Sequence, residues 1–147
     1  MFVRAGAVWL VILVAAIFNG LVRDVVLVPP FGDLIARGAS CFTLAGMILL
    51  VTWMSLPWIH PSSSAQAWTI GAMWLAMTVT FEFIGGHYLF HTPWSTLLAD
   101  YNVLDGRLWI VVLIATVAAP ALVYRAAHNP SRAMEFFSRL ADDTRRS

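Results

Sequence analysis

The sequence predicts an all-α, polytopic membrane protein: four transmembrane helices, with a short interfacial helix between the third and the fourth. Three observations carry this reading. Of 147 residues, 60% are hydrophobic and 12% are charged, about half the charged share with which a soluble domain covers its surface. The apolar residues fall into blocks close to the ~20 residues that a bilayer crossing needs. Breaks rich in proline, serine or charge separate those blocks. The same totals exclude a water-soluble globule, a disordered chain, a coiled coil and a nucleic-acid binder, so no nucleic-acid partner is expected.

Residues 5–22 carry no charge and form the first span. Met1-Phe2-Val3-Arg4 ahead of an apolar run imitates a secretory signal peptide, but the sequence after it offers little for a soluble domain. Between Gly38 and Phe81 lie 44 residues without Asp, Glu, Lys or Arg, too many for one span. Ile59-His60-Pro61-Ser62-Ser63-Ser64 divides them, giving helices over about 33–58 and 66–88. Residues 108–124 supply the fourth span, where Pro120 predicts a kink or early loosening. In the 89–107 segment, Thr92-Pro93 reads as an N-cap with proline at the first helical position. Trp94, Leu97, Leu98 and Tyr101 then recur at helical spacing, and Gly106 ends a helix lying in the interface. The chain thus divides into a transmembrane domain, 1–126, and an amphipathic basic tail, 127–147, in which Met134, Phe137 and Leu140 share one side.

Arginine sets the expected orientation. With four spans, both termini and the 59–65 loop share one side, which holds Arg4, Arg125, Arg132, Arg139, Arg145 and Arg146. The other side holds Arg23, Arg37 and Arg107. The positive-inside rule then makes both termini cytoplasmic. Trp9, Trp58 and Trp68 are expected near the cytoplasmic face, and Trp94 and Trp109 near the outer one. All nine basic residues are arginine, a bias that fits a GC-rich bacterial genome and an inner-membrane location.

Charges near hydrocarbon are expensive, so their placement is informative. They collect in the outer half. Asn19, Arg23 and Asp24 end helix 1, with Asn19 and Arg23 four apart on one face. Asp33, Arg37 and Ser40 begin helix 2, where Asp33 and Arg37 stack at i, i+4. Glu82 lies on helix 3, one turn after Thr78 and just before Gly85-Gly86. His87, His91, Asp100, Asn102, Asp105 and Arg107 follow. Two readings compete: a structural clamp, in which Glu82 pairs with Arg23 or Arg37, and a binding site with Glu82 at its floor. Either one brings the outer ends of helices 1, 2 and 3 together.

Other chemistry is weakly supported. His87 and His91 have metal-ligand spacing, but Gly85-Gly86 and Thr92-Pro93 flank them and put a continuous helix in doubt, so no metal is expected. Two core histidines on different helices, as a b-type haem needs, are lacking, and no cofactor is expected. Cys41, the single cysteine, sits in an apolar run and reads as a small hydrophobe. No nucleophile elbow or phosphate loop is present. The cytoplasmic half offers only Thr52, Ser55 and Thr69 as polar steps, which argues against a path through one protomer. Ala72/Ala76 and Ala115/Ala119 are small-xxx-small pairs that allow close helix contact.

Phe81-Glu82-Phe83, Gly86-His87-Tyr88, Trp94, Leu97-Leu98, Asp100-Tyr101-Asn102 and Gly106-Arg107-Leu108-Trp109 together resemble a group of small four-helix bacterial inner-membrane proteins. The resemblance covers mainly the second half of the chain. It implies the membrane location and draws attention to the Glu82–Arg107 segment, and it brings no activity with it. The function expected is that of a non-enzymatic binding or accessory protein working through the outer polar cluster. A small oligomeric transporter using Glu82 comes second, and a lipid-headgroup-modifying enzyme third. Expected partners are the lipid bilayer and either a larger membrane complex or further copies of the chain.

Overall fold

The computed structural model describes residues 1–89, 91, 93–95 and 108–128. Among them the chain is all-helical, without strands, and four helices are long and apolar enough to cross a membrane. Helix α1 runs Phe2–Phe31, well past the predicted end near Val22. It does so through a π-helical turn, Arg23–Leu27, followed by Val28–Phe31. In the π turn the Val28 N–H reaches back to Arg23 O. Beyond the prolines the Gly32 N–H bonds Val28 O at 2.9 Å. Pro29 and Pro30 have no N–H to place, and the widened turn relieves the clash that their rings make in a regular helix. Gly32, at φ +78 and ψ 164, then reverses the chain, in a region open to glycine at little cost.

Helix α2 runs Asp33–Ile59, with Asp33 in its first turn, where a carboxylate complements the helix dipole. His60 closes it in a left-handed conformation, its N–H bonded to Leu56 O at 3.0 Å. The predicted break follows at once. Ser63 Oγ accepts the Gln66 N–H at 3.2 Å, while Gln66 Oε1 accepts the Ser62 N–H at 2.8 Å. This is the reciprocal logic of a capping box, displaced by one residue. Helix α3 is Ser64–Thr80 and continues as a π-helix over Phe81–Leu89. Helix α4 is Trp109–His128. Pro120 is buried within it, and the helix runs on past the predicted loosening. Of the predicted interfacial helix, Trp94 and Ser95 are helical and most of the remainder lies outside the described residues. The same holds for the tail beyond His128.

Helix α4 packs against both α2 and α3, and α1 packs on α2 while touching α3. The core is apolar, with Trp9, Leu44, Ile48, Ile70, Trp74 and Val112 buried together. Cys41 is buried there too, as its apolar setting predicted. Of the buried polar side chains described, two return to the backbone: Thr52 Oγ1 donates to Ile48 O at 2.6 Å, and Thr116 Oγ1 to Val112 O at 2.8 Å.

Two expectations are corrected. Ala72 and Ala76 face outward; the close approach of α3 to α4 runs through Gly71 instead. A Cβ on Gly71 would lie 2.0 Å from Val117 O. Trp9 is not in an interfacial belt but in the core: its Nε1 donates to Thr78 Oγ1 at 3.0 Å. Helices α1 and α3 are offset along their length, and this brings residue 9 beside residue 78. Trp58 and Trp68 are exposed, as a belt requires.

Candidate functional site

Of the polar residues singled out from the sequence, Asn19, Arg23, Asp24, Asp33, Arg37 and Ser40 gather about the Gly32 reversal, at the end of the bundle opposite the N-terminus. Asn19, half-buried on α1, ties that helix to α2: its Nδ2 donates to Ser40 O at 3.1 Å and to Ser40 Oγ at 2.6 Å. One turn further along, Arg23 and Asp24 open the π turn and pair as neighbours. Arg23 Nε lies 2.8 Å from Asp24 Oδ1 and its Nη2 3.3 Å from Oδ2, the two-pronged geometry that a planar guanidinium favours. Across the Gly32 reversal, Arg37 Nε meets Asp33 Oδ2 at 2.8 Å, one turn apart on α2.

Both ion pairs are therefore local. Arg23 and Arg37, the arginines expected to close on Glu82, each pair with a carboxylate of their own helix, and Arg37 has a further interaction besides. The ties between helices here are instead hydrogen bonds and rings: Asn19 to Ser40, Trp9 to Thr78, and Trp9 edge-on to Phe81 with centroids 6.5 Å apart.

Phe81 and Glu82 begin the second π-helical segment. Glu82 is half-buried and has an interaction partner of its own. Gly85 leaves room for the Phe81 ring, which would lie 3.3 Å from a Cβ placed there. His87 stacks on Trp94 with centroids 4.2 Å apart and planes 26° from parallel. Phe83 stacks on the other ring neighbour of this group, again Trp94, at 6.1 Å. Trp94 thus folds back over the end of α3. His91 has left the helix: its φ is +52 and it is exposed. The i, i+4 geometry that a two-histidine metal site would need is broken. No group of three or more metal-ligating side chains occurs among the described residues. Asp100, Asn102 and Arg107 lie outside the described residues.

Comparison with known protein families, with characterised proteins and with solved structures gives no significant match. Function must therefore be argued from the site.

Sequence reasoning missed two features of that site. The first is that the segments holding Arg23 and Asp24, and Glu82 and His87, are π-helical. Such turns are rare and concentrate at functional positions, because the extra residue re-aims side chains and frees a carbonyl. Hydropathy carries no trace of them, although Pro29-Pro30 and Gly85-Gly86 were available as local signals. The second is Trp94 as a partner for His87, a contact between segments that spacing alone does not reveal.

Proposed function

We propose that the chain is a four-helix protein of the bacterial inner membrane, with cytoplasmic termini, acting as a non-enzymatic binding or accessory protein through the polar end opposite those termini. One observation carries the proposal: the two π-helical segments coincide with the stretches that hold Arg23, Asp24, Glu82 and His87. Membrane residence is supported by the outward-facing apolar stripe of α1, where Leu10, Val14, Phe18 and Leu21 are all more than half exposed. A soluble monomer rarely leaves so large a continuous patch open. The hydrogen-bonded threonines and apolar packing of the core favour binding over conduction through one protomer.

The test combines topology with partner capture. Reporter fusions at Ser147 and near Ser95 should report opposite sides of the membrane, the former cytoplasmic. Purification of the full chain in mild detergent should retain a stoichiometric membrane partner. Glu82→Gln should lose that partner while keeping the thermal stability of the parent. Flux of protons or solute by the isolated protein in sealed vesicles, abolished by Glu82→Gln, would overturn this reading in favour of transport.

A further inference from the structure

At the end that carries the N-terminus, a groove of about 280 Å³ opens between α2 and α4. Trp53, Leu56 and Val123 give it apolar walls, and no arginine or carboxylate lines it among the described residues. Two imidazoles do line it. They come from separate helices: His60 caps the C-terminus of α2, and His128 stands at the C-terminus of α4. Both residues are exposed, so an ion can reach them without crossing the core.

The backbone around these rings favours a cation. A helix C-terminus carries the equivalent of about half a negative charge, and two such ends meet at the groove. Pro57, which has no N–H, leaves Trp53 O without its helical partner, and both residues are in the groove wall. Arg4 answers one α2 carbonyl, Trp58 O, at 2.9 Å, from outside the groove. His128 is held as a ligand is held. Its Nδ1 lies 2.9 Å from Tyr124 O. A carbonyl oxygen only accepts, so Nδ1 carries the proton and the neutral ring keeps its lone pair on Nε2. Metal-binding histidines are oriented in this way, the second ring nitrogen donating to a carbonyl or carboxylate. The stack on Tyr124, with centroids 4.1 Å apart and planes 21° from parallel, restrains the ring further.

We propose that His60 and His128 together bind one divalent transition-metal ion of the class that imidazole prefers, copper, nickel or zinc, with Nε2 of His128 as one ligand. Magnesium and calcium, which take oxygen ligands, are not expected there. At about 2.0–2.1 Å from each nitrogen, the ion fills a small part of the groove, and water completes its coordination. Bound there, it joins the C-terminal ends of α2 and α4. The site is independent of the binding face proposed above.

The experiment uses the full, untagged chain in detergent, stripped with chelator and given less than one equivalent of Cu²⁺. Pulsed electron paramagnetic resonance then counts the imidazoles coupled to the copper electron. The parent should show two, and His60→Asn and His128→Gln should each show one. In either variant the copper Kd should rise more than about tenfold, the loss that removing even an outer partner of a metal-binding histidine brings. Asparagine is chosen at residue 60 because it tolerates the left-handed backbone there, φ 57. Both positions are exposed, so the metal-free variants should melt with the parent. One coupled imidazole or none in the parent overturns the site, as does a parental spectrum in either variant. Copper held by His87 and His91 instead would survive both substitutions and so counts against it.

Discussion

Among the described helical glycines, Gly71→Ala should damage the bundle most. The new Cβ would stand 2.0 Å from Val117 O, 2.8 Å from its carbonyl carbon and 3.2 Å from its Cα. A carbon–oxygen contact normally settles at about 3.3–3.6 Å, so α3 and α4 must part by more than ~1 Å along their contact. All three obstructing atoms are backbone, which no rotamer change can move aside. Overpacking of this kind costs about 1–3 kcal/mol, and more where the surroundings are rigid. The higher helix propensity of alanine returns up to ~1 kcal/mol, leaving a net loss of roughly 1–2 kcal/mol or more. Thermal unfolding in one detergent measures it, with Gly6→Ala and Gly46→Ala as controls, since neither added Cβ meets anything within 4 Å. The controls should match or slightly exceed the parent. Val117→Ala should not rescue Gly71→Ala, because the side chain is not the obstacle. A Gly71→Ala protein as stable as the Gly46→Ala control would refute the backbone contact, as would rescue by Val117→Ala.

Two further substitutions probe the ties between helices. Asn19→Leu removes both bonds to Ser40 and should lower stability by about 0.6–2 kcal/mol, the range for interhelical hydrogen bonds in membrane bundles. Ser40→Ala, which keeps the carbonyl acceptor, should lose less in the same melting assay; equal losses would show that the 3.1 Å bond contributes nothing. Trp74→Phe removes a fully buried indole N–H that donates to Ala5 O at 2.8 Å and should cost about 1–3 kcal/mol in unfolding free energy. Trp9→Phe, whose bond to Thr78 is only partly buried, should cost less, and the reverse order would contradict this account.

The four helices were legible because their lengths follow from uninterrupted apolar runs, and the His60–Ser63 break because proline and serine act locally. The Asp33–Arg37 pair was legible for the same reason, being one helical turn apart. Arg23 was placed with Asn19 by face, yet it pairs with its sequence neighbour Asp24, and Asn19 turns to Ser40. Arg23 does follow Asn19 by one helical turn, its N–H bonding Asn19 O, so the shared face stands and the ionic partner is what the spacing did not reveal. Gly71 was passed over for Ala72 and Ala76 since small-residue spacing does not say which face meets a neighbour. The position of Trp9 depended on the offset between α1 and α3, which no local pattern encodes.

The distribution of these contacts bears on where function should be sought. In lipid, the apolar surface between helices gains little from leaving its surroundings, so close packing and interhelical hydrogen bonds must hold a bundle together. Gly71 against Val117 and Trp74 against Ala5 supply both kinds through the middle and toward the terminal end. Trp9–Thr78 ties α1 to α3 above them, and toward the far end Asn19 ties α1 to α2 through Ser40; neither bond uses a charge. The two ion pairs among the far end's described residues each lie within a single helix, and Arg37, Glu82 and His87 have further interactions. The Arg23–Asp24 pair satisfies itself locally on a π turn and keeps a carboxylate and a guanidinium at the mouth of the bundle. That arrangement makes the Arg23–Asp24 turn as informative a target as Glu82.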